Sequence, residues 1–152
     1  MSYAQRINLA MMASGLLVLA WYAHQILPLL STTAPDEIAF ARPMMVAIGI
    51  GIVLSIISAI LVSVGSAIWT GVREGEAAVS DEMNEEDERD KQISRLGDAV
   101  GGNVLSVAVI AALMTIWFEH SLFVTAHILF LGAWASAIAG AVVKQVAYMR
   151  GV

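Results

Sequence analysis

Three histidines carry most of the chemistry this sequence could perform. They are His24, His120 and His127, with Glu119 beside the second. All three fall in the outer third of the expected membrane, with His120 and Glu119 at the outer turn between two apolar segments. Counted at 1.5 Å per residue, His24 lies about 9 Å inside the end of its segment, and His127 about 9 Å beyond Ser121. Two neutral imidazoles at equal depth on neighbouring helices can ligate a haem or a metal, or relay a proton. An imidazole near a membrane interface also costs little and can hydrogen-bond a neighbouring helix. Membrane haem sites commonly use wide, glycine-lined pockets, and the first segment offers only Gly15. Structural or interfacial roles are therefore expected for the histidines, with haem or a divalent metal as the competing reading.

The second chemical feature is a charged segment. Residues 73–98 hold ten acidic and four basic side chains, a net of −6 in a chain whose total is −5. Glu82/Glu85, Glu85/Glu88 and Asp87/Asp90 share a helix face at i,i+3, a spacing that could gather a divalent cation. No EF-hand loop is present, and clustered acids on a helix usually form a solvated face. A partner-binding or solvated surface is expected. Glu85 with Arg89 and Asp87 with Lys91 are spaced to support an exposed helix, and Ser80 can cap it.

Other chemistries lack their residues. Without cysteine there is no disulfide, thiolate zinc site, iron–sulfur cluster or thiol nucleophile. No Gly-rich phosphate loop, Ser/His/Asp arrangement or HExxH motif is present, and no Asp or Glu lies at mid-depth in an apolar segment. The balance leans away from an enzyme. An acidic chain offers nucleic acid no electrostatic attraction, and no such partner is expected.

The elements that position these residues follow from the apolar pattern. The 152 residues are 59% hydrophobic and 14% charged, with mean hydropathy +0.77, far from the roughly 25% charge of soluble domains. A bilayer core ~30 Å thick needs about 20 apolar residues per helix. Segments 7–30 and 44–70 satisfy this, and the long run after Val100 divides at Glu119-His120-Ser121 into 99–118 and 122–146. The expectation is one all-α membrane domain, 1–152, built as a four-helix transmembrane bundle. Seven of eight Lys and Arg residues fall on one side, with Arg42 alone opposite. The positive-inside rule then puts both termini and the 73–98 loop in the cytoplasm. The first span lacks a small-x-small cleavage site and is expected to be retained.

Two patterns concern assembly. Ala47, Gly51, Ser55, Ala59, Ser63, Ala67 and Gly71 recur at every fourth position of span two, with Gly132, Ser136 and Gly140 as a shorter counterpart in span four. Small residues at this spacing let helix backbones approach closely. Such a ridge would pack spans two and four together or build a homo-oligomer. Gly97, Gly101 and Gly102 are expected to loosen the entry to span three. Trp21-Tyr22-Ala23-His24 and Trp117-Phe118-Glu119-His120 match at an offset of 96 residues. A duplicated hairpin and an interfacial aromatic belt explain the match equally well.

Asp87-Glu88-Arg89-Asp90 before span three, and the tail Lys144 to Gly151, resemble a group of small uncharacterised four-span bacterial inner-membrane proteins with a cytoplasmic Asp-Glu-Arg-Asp motif. The resemblance covers most of residues 80–151. It implies a bacterial inner membrane and no particular activity. The function expected is a non-catalytic membrane regulator or adaptor that self-assembles and recruits a cytoplasmic protein through residues 80–96. The alternatives are an oligomeric transporter or channel, and a haem- or metal-binding protein using the outer histidines.

Overall fold

The computed structural model describes residues 3–74 and 88–150. Four helices follow one another: α1 (Tyr3–Leu30), α2 (Ala41–Glu74), α3 (Glu88–Trp117) and α4 (Leu122–Arg150). A single 3₁₀ turn, Pro35–Glu37, interrupts the α1–α2 connection. All four helices are long and apolar enough to cross a membrane, so the chain is an all-α bundle of membrane-spanning helices. Ser80 and the acidic run up to Asp87 lie outside the described residues, as does Gly151.

The helices exceed the apolar segments that nucleate them. α3 starts at Glu88, twelve residues before the apolar run, because backbone hydrogen bonding continues where charged side chains face water. Lys91 pairs with Glu88 at 3.1 Å, one turn apart on that extension. At 1.5 Å per residue the charged part of α3 is about 18 Å long.

The closest seam joins α3 to α4. A Cβ at Gly101 would stand 3.0 Å from the Ser136 carbonyl oxygen, and one at Gly140 2.9 Å from that of Gly97. A Cβ at Gly132 would collide with that of Ala108. The Ser136 hydroxyl donates to the Gly101 carbonyl at 2.7 Å. Gly97 and Gly101 therefore tighten the span-three junction, contrary to the expectation that they loosen it. The small face of span four packs on span three.

The ridge of α2 faces inward. Ala47 is fully buried and the six later small residues are all at least half-covered, while Ile48, Ile52, Ile56, Ile60 and Ile68 are exposed. Its main partner is α1. Ser58 and Ser14 share a hydrogen bond of 2.7 Å, Ser63 meets the Tyr3 hydroxyl, and Arg6 donates to Ser66 at 3.0 Å. The expected packing of spans two and four is slight, with Ala47 in a shared core cluster with Phe123 and Phe130 and one close approach deeper in the bundle. There the Trp134 ring of α4 presses on Gly51, where a Cβ would come within 2.9 Å. Elsewhere α2 and α4 flank an open apolar groove of about 630 Å³.

The two hairpins, α1–α2 and α3–α4, join mainly through α1 against α4. Positions matched by the 96-residue offset differ in environment. Tyr22 is 3% exposed, whereas Phe118 is 60% and Trp117 80% exposed. An interfacial belt accounts for Trp117 and Phe118 without a repeated fold.

Candidate functional site

The bundle has polar constructions at both ends. At the histidine end, Val18, Tyr22 and Ile26 of α1 meet Ala47 of α2 and Phe123 and Phe130 of α4, with Ile38 of the connection closing over them. His127 sits inside this apolar cluster. Its ring stacks on Phe123 at 3.9 Å between centroids, with Phe40 at 5.4 Å and Tyr22 at 5.8 Å.

Hydrogen bonding fixes the orientation of that imidazole. Nδ1 lies 2.8 Å from the Phe123 carbonyl oxygen, one turn earlier in α4. A carbonyl only accepts, so Nδ1 carries the hydrogen. In the neutral ring Nε2 is then an acceptor, and the Tyr22 hydroxyl 2.7 Å away donates to it. Both nitrogens of His127 are engaged, and ligating a metal would break one of these bonds. Its partner is Tyr22, which in the sequence stands only as part of the Trp-aromatic-x-His match. The signal was available: a tyrosine inside a span needs somewhere to put its hydroxyl.

The other candidates lie apart from this pair. His24 is exposed, two residues along α1 from Tyr22 and so on a different face. Glu119 and His120 lie in the turn that follows α3. Glu119 has φ 55°, the left-handed region. The His120 amide donates to the Thr115 carbonyl at 2.9 Å and the Glu119 amide to that of Ile116 at 3.1 Å. This is a Schellman motif, which satisfies carbonyls that the helix end leaves open. Glu119 and His120 thus serve the turn through their backbone. The described residues contain no group of three or more His, Cys, Asp or Glu side chains that could hold a metal.

At the opposite end, α1, α3 and α4 enclose a cleft of about 470 Å³. Its mouth carries Asn8, Asp98 and Lys144. Asn8 Nδ2 donates to the Ala141 carbonyl at 2.9 Å, and Lys144 Nζ to Asp98 Oδ1 at 2.8 Å. The Lys144 stem lies across Gly97, where a Cβ would collide with it. The inner end is closed by Trp134, wedged between Gly15 of α1 and Gly51 of α2, whose added Cβ atoms would lie 3.1 and 2.9 Å from the ring. Of the charged motif, Glu88, Arg89 and Asp90 begin α3 beyond the apolar segment.

Comparison with protein families, with curated proteins and with solved structures gave no match. Functional conclusions therefore rest on the residues alone. The cleft escaped the sequence-level reading because Asn8, Asp98 and Lys144 lie on three different helices, with no shared spacing to link them.

Proposed function

We propose that the chain is a non-catalytic membrane adaptor or regulator, set in a bacterial inner membrane with its termini and charged extension in the cytoplasm. The observation that carries this reading is the continuation of the α3–α4 pair beyond the apolar segments. The seam keeps Ile93 and Ala147 buried there, 3% and 7% exposed, while Glu88, Arg89, Arg95 and Asp98 face outward. The charged part of α3, about 18 Å long and braced at its base by the last turn of α4, is a rigid surface suited to a soluble protein partner. Seven of eight basic residues lie on the stalk's side, which supports its cytoplasmic placement. Self-association belongs to the same reading. Asn103 is exposed on the apolar part of α3 and makes no hydrogen bond among the described residues, so its amide suits a second copy.

A photo-crosslinker at position 92 should capture a cytoplasmic protein in cells. Charge reversal at Glu88, Asp90 and Asp98 should abolish the capture. The purified protein in proteoliposomes should pass no ion or solute faster than empty vesicles. A specific flux would replace the adaptor with the transporter reading.

A further inference from the structure

We propose that the cleft between α1, α3 and α4 holds one phospholipid whose head carries both a phosphate and a primary ammonium. Depth is the first argument. Asn8, Asp98 and Lys144 each lie within two residues of the edge of their apolar segment, so the mouth is at the membrane boundary. From Lys144 to Trp134 is ten residues of α4, about 15 Å. That is half of a hydrocarbon core ~30 Å thick, so Trp134 closes the cleft near the bilayer midplane. The cleft is one leaflet deep, the reach of an acyl chain.

Lining is the second argument. Below the mouth the walls are apolar, with Met11, Met12, Leu105 and Ile138 beside bare glycine backbone. Flexible methionines fill around an irregular chain. The inner end closed by Trp134 and the ion pair at the mouth separate this cleft from the apolar surface that α2 shows the lipid.

Charge is the third. Lys144 has three N–H donors and spends one on Asp98; Asp98 keeps its second oxygen and is 70% exposed. A phosphate can therefore meet the ammonium of Lys144 while a primary ammonium meets the carboxylate of Asp98. The pair is the charge complement of a phosphoethanolamine head. A choline head offers no N–H to Asp98, and a glycerol head offers it no cation.

Gly102 makes the proposal testable without harming the fold. It lines the cleft, and a Cβ there would meet nothing within 4 Å. Native mass spectrometry of the full chain, released from bilayers of phosphatidylethanolamine, phosphatidylcholine and phosphatidylglycerol, reads the bound lipid directly. Wild type should retain one phosphatidylethanolamine about tenfold more tightly than either other lipid, the worth of one charge-assisted hydrogen bond. Gly102→Leu should lose the bound lipid with its melting temperature unchanged. Asp98→Asn should retain the lipids without preference. Equal retention of all three heads by wild type, preference for phosphatidylglycerol, or undiminished retention by Gly102→Leu would overturn the proposal. So would a disulfide-linked dimer of Gly102→Cys that carries no lipid in this otherwise cysteine-free chain, because a second copy would then occupy the cleft.

Discussion

Among single residues, His127 shows how much an imidazole's role depends on its neighbours. With Nδ1 bonded to the Phe123 carbonyl and Nε2 to the Tyr22 hydroxyl, it ties α1 to α4. Tyr22→Phe removes the donor and leaves Nε2 bare inside an aromatic cluster. Interhelical hydrogen bonds in membranes average about 0.6 kcal/mol, so this variant should lose roughly 0.5–1 kcal/mol. Steric-trap unfolding in detergent measures the difference, and stability equal to wild type would remove the tie. Glu119 makes the opposite prediction. Its left-handed backbone, φ 55°, burdens a residue that has a Cβ. Glu119→Gly should relieve that strain and stabilise the α3–α4 turn by about 0.5–1 kcal/mol. A destabilised Glu119→Gly variant would show instead that the carboxylate contributes more than the backbone strain costs.

Between elements, the glycines sort into those that hold a seam and those that do not. Gly101, Gly132 and Gly140 lie where α3 and α4 almost touch, whereas Gly49 and Gly65 of α2 have nothing within 4 Å of an added Cβ. Leucine at Gly101 or Gly140 should force the two helices apart and cost about 2 kcal/mol or more, by loss of backbone contact and overpacking. Leucine at Gly49 or Gly65 should be neutral. Melting temperatures of the four variants check the contrast. It would fail if all four behaved alike. The small-residue spacing was legible in the chain, but the pairing was not. A ridge says that some helix comes close; it does not say which one. For α2 the answer is α1, because its serines find Ser14, Tyr3 and Arg6 there.

At the level of the whole molecule, Trp134 is the wedge between hairpins. Its ring fills the space over Gly15 and Gly51 and separates the lipid cleft from the apolar groove beside α2. Trp134→Ala should merge the two spaces and weaken the docking of α1–α2 on α3–α4. With no hydrophobic drive between helices in lipid, the loss is mainly dispersion contact over a large ring. Two co-expressed fragments, 1–80 and 81–152, should purify together as wild type and come apart when the second carries Trp134→Ala. Fragments that stay together regardless would assign the docking to the remaining α1–α4 contacts.

The number of membrane-spanning helices among the described residues, their lengths to within a turn or so in the membrane, and the breaks after Leu30 and Trp117 were determined by the sequence alone. Lipid satisfies no backbone polar group, so every apolar stretch of sufficient length must close its hydrogen bonds internally as a helix. The uneven charge was legible for a related reason, since ionised side chains are excluded from the hydrocarbon core. Only the tertiary structure decided that His127 meets Tyr22 and not His24, that the glycines before span three tighten the bundle, and that Asn8, Asp98 and Lys144 share one cleft. Each of these depends on how helices rotate and pair. In lipid all apolar faces are nearly equivalent, so that choice falls to close backbone contact and a few hydrogen bonds distributed over separate helices.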